Sequence, residues 1–172
     1  RFPAERTFTA GIIRFDHYFR ENRGEKSRDE FLKSKGLDPA RKTILITTVT
    51  RGNYKDEPEI IRQLLREREK GAFGEFVNLF IRLHPKEDNY PDFEPFLDLP
   101  QVRVERGGRE RPAISGQRIE LDEEELVNLK DTLRNSDVVV NYASTITLEA
   151  AIFDKPVVNI GFPPYYLTAY SF

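Results

Sequence analysis

Short apolar runs alternate along the chain with segments whose apolar residues recur every three or four positions. The runs are Thr43 to Val49, Val77 to Leu83, Gln101 to Glu105, Asp137 to Val140 and Val157 to Ile160. Each has the length of a strand, and the β-branched ones suit a strand buried on both faces. The periodic segments predict helices. One spans Arg28 to Lys35, capped by Ser27, stopped by Gly36, with Phe31 and Leu32 facing inward. A second runs from Pro58 to about Lys70 with Ile60, Ile61, Leu64 and Leu65 as its stripe, and a third from Asp122 to Arg134 with Leu126, Leu129 and Leu133. The last starts at a Ser144 or Thr145 cap, turns Ile146, Leu148, Ala150, Ala151, Ile152 and Phe153 to a wide buried side, and ends at Lys155-Pro156. Thr7 to Phe15 reads as a strand or extended linker broken at Gly11. Asn89 to Leu99 holds one short helix with Phe93, Phe96 and Leu97 inward, and Asn22 to Ser27 and Arg106 to Gln117 read as loops.

Strand and helix in alternation give an α/β domain, with a parallel sheet covered on both faces in the doubly wound, Rossmann-like manner. Residues 1–42 read as a linker strand and short helix, 43–161 as the domain, and 162–172 as a truncated C-terminal segment. The stretch from Ser136 to Gly161 is a strand, hydroxyl-rich turn, helix and strand, a βαβ crossover around which the rest is organised.

Composition narrows the function. The 172 residues carry 27 Lys and Arg against 29 Asp and Glu, so no global field draws the chain to nucleic acid or an anionic membrane. There is no cysteine, hence no disulfide framework, thiolate metal site or thiol nucleophile. His17 and His84 are the two imidazoles, and with no compact ligand spacing no metal site is assigned. No run has the length of a membrane span and no signal peptide is evident, so a cytoplasmic location is expected, with the parent peripheral at the inner face of the membrane. Methionine is absent even at position 1, and the chain is expected to be a piece of a longer protein.

In a parallel sheet the carboxyl ends of all strands share one rim, and the polar residues there are the candidates for chemistry. They are Thr50 and Arg51 after the first strong strand, Arg82 and His84 near the end of the second, and Asn141, Ser144, Thr145 and Glu149 after the fourth. The Ser144 turn offers hydroxyls and backbone donors, arginine grips phosphate, and Glu149 accepts from sugar hydroxyls. Together they describe a cradle for a nucleoside diphosphate. Each also has a plainer reading. Ser144 and Thr145 serve as helix caps, Glu149 as a solvent-facing or ion-paired residue, His84 as a strand-end histidine bonded to backbone, Arg51 as a partner of Asp56 or Glu57. Asp16 and His17 carry less weight, because the local structure around them is undecided by the pattern. No GxGxxG, GxxxxGK[ST] or GxSxG motif occurs, which argues against a dehydrogenase, a P-loop NTPase and an α/β-hydrolase.

The run ASTITLEAAIFDKPVVNIG resembles the donor-binding segment in the C-terminal half of GT-B-type glycosyltransferases, particularly bacterial CDP-glycerol glycerophosphotransferase-like and surface-polysaccharide enzymes. It is similar also to the corresponding segment of UDP-N-acetylglucosamine 2-epimerase. ILITTVTRGNY looks like the first strand and arginine-bearing loop of that half, LFIRLHPKED like its strand ending in His-Pro, and TAGIIRFDHY more loosely like the junction with the N-terminal half. The resemblance implies that Ser144 and Thr145 hold donor phosphate and that Glu149 contacts ribose or sugar hydroxyls. It implies that His84, as a catalytic residue, and Arg51 face the diphosphate and assist leaving-group departure. It implies no cofactor beyond the substrate, a nucleotide-activated sugar or CDP-glycerol, and a missing N-terminal Rossmann half as partner. Transfer of a glycosyl or glycerophosphate group to an acceptor hydroxyl in cell-surface polymer synthesis is the expected activity of the parent. The isolated piece is expected to be inactive. A nucleotide-sugar 2-epimerase and a non-catalytic binding module are the alternatives.

Overall fold

A computed structural model of the chain describes residues 3–6, 8, 11–20, 26–49, 56–74, 76–86, 90–110, 119–120, 122–142 and 144–161. Its centre is a sheet of five parallel strands. In chain order the elements are α1 (Arg28–Ser34), β1 (Thr43–Thr47), α2 (Glu57–Glu69), β2 (Asn78–Leu83), β3 (Val102–Arg106), β4 (Arg109–Glu110), β5 (Ile119–Glu120), α3 (Glu123–Arg134), β6 (Val138–Asn141), α4 (Ile146–Ile152) and β7 (Val157–Asn159). Short 3-10 helices add Ile13–Phe19 before α1 and Tyr90–Phe96 between β2 and β3. The sheet runs β3-β2-β1-β6-β7, all parallel, so the chain builds outward from β1 on one side and then returns to its other side. This is the doubly wound Rossmann-like arrangement. Its order reverses between β1 and β6, the point at which sheets of this kind take ligands beyond the carboxyl ends of their strands.

Period-two alternation splits the core into two halves. Ile46, Leu79, Ile81, Leu83, Val102, Val104 and Val140 face α2, meeting Ile61 and Leu65, with Phe93 and Phe96 of the 3-10 helix Tyr90–Phe96. Leu45, Phe80 and Val139 face the other way, against Phe31 and Leu32 of α1, Leu129 and Leu133 of α3, Ala150 of α4 and Tyr18. Leu32, Leu45 and Leu133 are fully buried, each stabilising the fold by roughly 1.5–3 kcal/mol.

The helix ends obey their local chemistry. Ser27 and Glu30 form a reciprocal capping box at the start of α1. At its end Gly36 takes φ +74°, Gly36 N–H donates to Lys33 O at 3.0 Å and Leu37 N–H to Leu32 O at 2.9 Å, a Schellman closure that needs a left-handed residue. Pro58 sits in the first turn of α2, where its missing N–H costs nothing. Asp122 caps α3 by accepting from Glu125 N–H at 2.9 Å.

Several expectations need correction: Leu97, expected inward, is 39% exposed, and Val158, in a run expected to be buried on both faces, is 53% exposed. A 3-10 helix, Ile13–Phe19, begins inside the Thr7–Phe15 stretch read as a strand or linker and runs beyond it, in the geometry that eclipses residues three apart and so brings Phe15 and Tyr18 to one side. The segment read as a loop from Arg106 contains β4, paired antiparallel with β5. In α4, Leu148 is 52% exposed and Ala151 exposed, whereas Glu149 is only 4% exposed. The helix is seven residues long, and the side that meets the protein is set by the partners waiting for Glu149, described below. Of the two N-cap candidates, Ser144 makes the cap bond, its Oγ accepting from Ile146 N–H at 3.3 Å, whereas Thr145 already has helical backbone angles and makes none.

Candidate functional site

The turn after β6 is shaped by Asn141. Its Oδ1 accepts from Ser144 N–H at 2.9 Å and its Nδ2 donates to Thr147 Oγ1 at 2.9 Å, while its backbone carbonyl takes the N–H of Ile160 at 2.8 Å. Asn141 is fully buried. Both ends of its amide are therefore spent on folding the loop, and its role is to fix where Ser144 and Thr145 stand. Ser144 Oγ accepts from Ile146 N–H at 3.3 Å.

Beneath this turn lies a buried carboxylate. Glu149 Oε1 accepts from Arg14 Nη2 at 2.7 Å, and Oε2 accepts from the phenol of Tyr18. The same Arg14 Nη2 donates to Thr145 Oγ1 at 3.0 Å. Tyr18, 4% exposed, packs edge-on to Phe153 at 5.6 Å between ring centres. Burial, then the hydrogen bond to the Glu149 carboxylate, pushes its phenol far above the ordinary tyrosine range, so Tyr18 stays protonated and donates to Glu149. His17 Nδ1 donates to the carbonyl of Arg14 at 2.8 Å, and its Nε2 is buried without a hydrogen-bond partner.

One strand across, the β1 and β2 ends stay joined past the ladder. Thr48 N–H donates to Arg82 O at 3.0 Å, and Thr48 Oγ1 accepts from His84 N–H at 2.9 Å. His84 Nδ1 accepts from Lys86 N–H at 3.1 Å and the residue is half-buried. With β1 between β2 and β6, the His84 and Ser144 ends are two strand spacings apart, about 10 Å, a span suited to a diphosphate and the sugar it carries.

Arg82 does not join this rim. It is 6% exposed on the face of β2 that meets α3, paired with Glu125 and, at 3.4 Å, with Glu105. Glu105 also takes Lys35 at 2.6 Å, and Lys35 donates to Asn128 at 2.8 Å. Burial alone would raise the Glu105 carboxyl, but the hydrogen bonds from Lys35 and Asn128, with the charges of Lys35 and Arg82, hold it below the usual range. The cluster forms one wall of a cleft of about 480 Å³, also lined by Phe31 and Arg103, over β3 and away from the Ser144 turn. Arg82 is spoken for by carboxylates, which is a structural duty.

Asn141, Ser144, Thr145 and Glu149 thus stand together, and His84 shares their rim. Thr50 and Arg51 lie outside the described residues. Arg14 and Tyr18 were not singled out from the sequence; the three-residue spacing of Phe15 and Tyr18 marks the turn that carries them, and nothing local pointed Arg14 toward Glu149. Among the described residues no group of three or more His, Asp or Glu could hold a metal ion, and no helix is long and apolar enough to cross a membrane. No protein-family model and no curated protein matches the chain.

Proposed function

We propose that this chain is the donor-nucleotide domain of a GT-B-type glycosyltransferase or glycerophosphotransferase serving cell-surface polymer synthesis. The observation that carries the reading is the Ser144–Thr145 turn, fixed by Asn141 at the carboxyl end of β6 and beside the reversal of strand order. That is where open parallel sheets take ligands, and the Ser144 and Thr145 hydroxyls suit phosphate oxygens. His84, on the same rim, faces the departing group.

In this reading an acceptor hydroxyl attacks the activated carbon of a nucleotide sugar, or the phosphorus of a CDP-glycerol donor. The bond to the nucleoside diphosphate or monophosphate breaks as the new one forms. Charge grows on the departing phosphate, and donors aimed there stabilise the transition state more than the ground state. Acceptor binding belongs to the second Rossmann half of the resembling enzymes, so turnover is proposed for a parent that includes one.

Calorimetric titration of the chain with CDP, UDP, GDP and ADP tests the reading. Saturable binding of one nucleotide, weakened when Ser144 and Thr145 are both changed to Ala, is expected. Heats absent for all four would remove the donor-domain reading, and products isolated from the parent would separate group transfer from epimerisation.

A further inference from the structure

We infer that Arg14 is a phosphate ligand of the rim site and that Glu149 is its positioning residue, acting through the guanidinium instead of on sugar hydroxyls. The inference deepens the nucleotide-binding reading and rests on it for the identity of the ligand. The Arg14 side chain is 58% exposed while that of Glu149 is 6% exposed, so the guanidinium lies outward and the carboxylate behind it. Nη2 is held by Glu149 at 2.7 Å and Thr145 at 3.0 Å, the guanidinium carbon lies 5.0 Å from the centre of the Phe15 ring, and His17 holds the Arg14 carbonyl. Nε and Nη1 make no hydrogen bond among the described residues.

A surface arginine normally samples many rotamers, and ordering it on binding weakens the complex. Here the ordering is done beforehand by three side-chain contacts, to Glu149, Thr145 and the Phe15 ring, while His17 fixes the backbone at Arg14. Thr145 contributes again: with its oxygen accepting from Arg14, its own proton is turned away from that guanidinium and is left to donate. Thr145 O–H and Arg14 Nη1 are then neighbouring donors beside the Ser144 turn, a combination suited to phosphate oxygens. The carboxylate of Glu149 has one oxygen on Arg14 and the other on Tyr18. It faces the guanidinium, and sugar hydroxyls must find other acceptors.

The test is calorimetric titration of the 172-residue chain with inorganic pyrophosphate and, separately, with the four nucleoside diphosphates, using wild type, Arg14→Ala, Arg14→Lys, Glu149→Gln and the Arg14→Ala/Glu149→Gln double variant. Loss of one charge-assisted contact predicts pyrophosphate binding about tenfold weaker in Arg14→Ala, with partial recovery in Arg14→Lys. Glu149→Gln should weaken binding in the wild-type background and have no further effect beside Arg14→Ala, a coupling that general loosening of the fold would not produce. Arg14→Ala leaves the Glu149 carboxylate buried without its cation and is expected to melt below wild type, with part of the loss recovered in the double variant. Affinities are therefore compared at a temperature where every variant is folded. Equal affinity of wild type and Arg14→Ala, an effect of Glu149→Gln that persists without Arg14, or no uptake of pyrophosphate by wild type would each overturn the inference. Pyrophosphate held through Arg14 with no nucleotide bound would retain it and remove the nucleotide reading; a nucleotide bound equally by both proteins would do the reverse.

Discussion

The phenol of Tyr18 donates to the carboxylate of Glu149, residues 131 apart in the chain, in a site where both are buried. This contact fastens the N-terminal 3-10 helix to α4. Tyr18→Phe keeps the ring against Phe153 but strips a buried carboxylate oxygen of its donor, for an expected loss of about 1–3 kcal/mol. Urea unfolding should show a lower midpoint with an unchanged slope. An unaltered midpoint would mean that the carboxylate finds another donor at no cost.

Arg82 stands between two carboxylates, Glu105 and Glu125, with almost no exposure. Arg82→Met fills the volume yet leaves Glu125 buried without its cation, and removal of one partner from a buried pair costs about 3–5 kcal/mol. Adding Glu125→Gln should restore part of the loss, since the uncompensated charge is then gone. If unfolding free energies of the single and double variants matched, the carboxylate could not be the source of the damage.

Two carboxyls tie stability to acid. At the amino ends of β1 and β6, Asp137 would be raised by burial, but the backbone N–H of Thr43 together with Lys42 and Arg28 holds it below the ordinary range. Glu105 is depressed in the same sense. A carboxyl that is more acidic when folded contributes stability that is fully present above its unfolded value, about pH 4. That contribution is lost as pH falls through the depressed folded value. Acid titration followed by circular dichroism should show destabilisation below about pH 4–5, and Asp137→Asn should be less stable at neutral pH but flatter across the acid limb. A variant parallel to wild type over that limb would assign the acid response to other groups.

How much of this was legible in the sequence depended on the range of the cause. The strands announced themselves because the apolar run itself carries the signal, although burial still follows position: Val139 and Val140 lie buried inside the sheet, while Val158 at its edge is 53% exposed. Ser27, Gly36 and Pro58 mark helix ends through contacts a few residues long. Glu149 and Leu148 could not be placed, since in a helix of two turns the buried side is decided by Arg14 and Tyr18, supplied from the other end of the chain. Arg82 misled for a related reason. At the end of an apolar strand it looked like a rim cation, and the carboxylates that claim it come from β3 and α3. The turn at Ser144 lay between these extremes, because Asn141 shapes it from three residues away.

The central claim is that a nucleoside diphosphate docks at the carboxyl rim beside the reversal of strand order, on Arg14 and the Ser144 turn. The most direct measurement is a residue-resolved NMR titration of the labelled chain with the nucleotide that binds most tightly among CDP, UDP, GDP and ADP. The account predicts saturable amide shifts concentrated at Arg14, Thr48, His84 and Ser144 to Ile146, with Asp38, Gln101 and Asp137 at the opposite edge of the sheet unmoved. Shifts centred on that opposite edge, or on the cleft between Lys35 and Arg103, would contradict it.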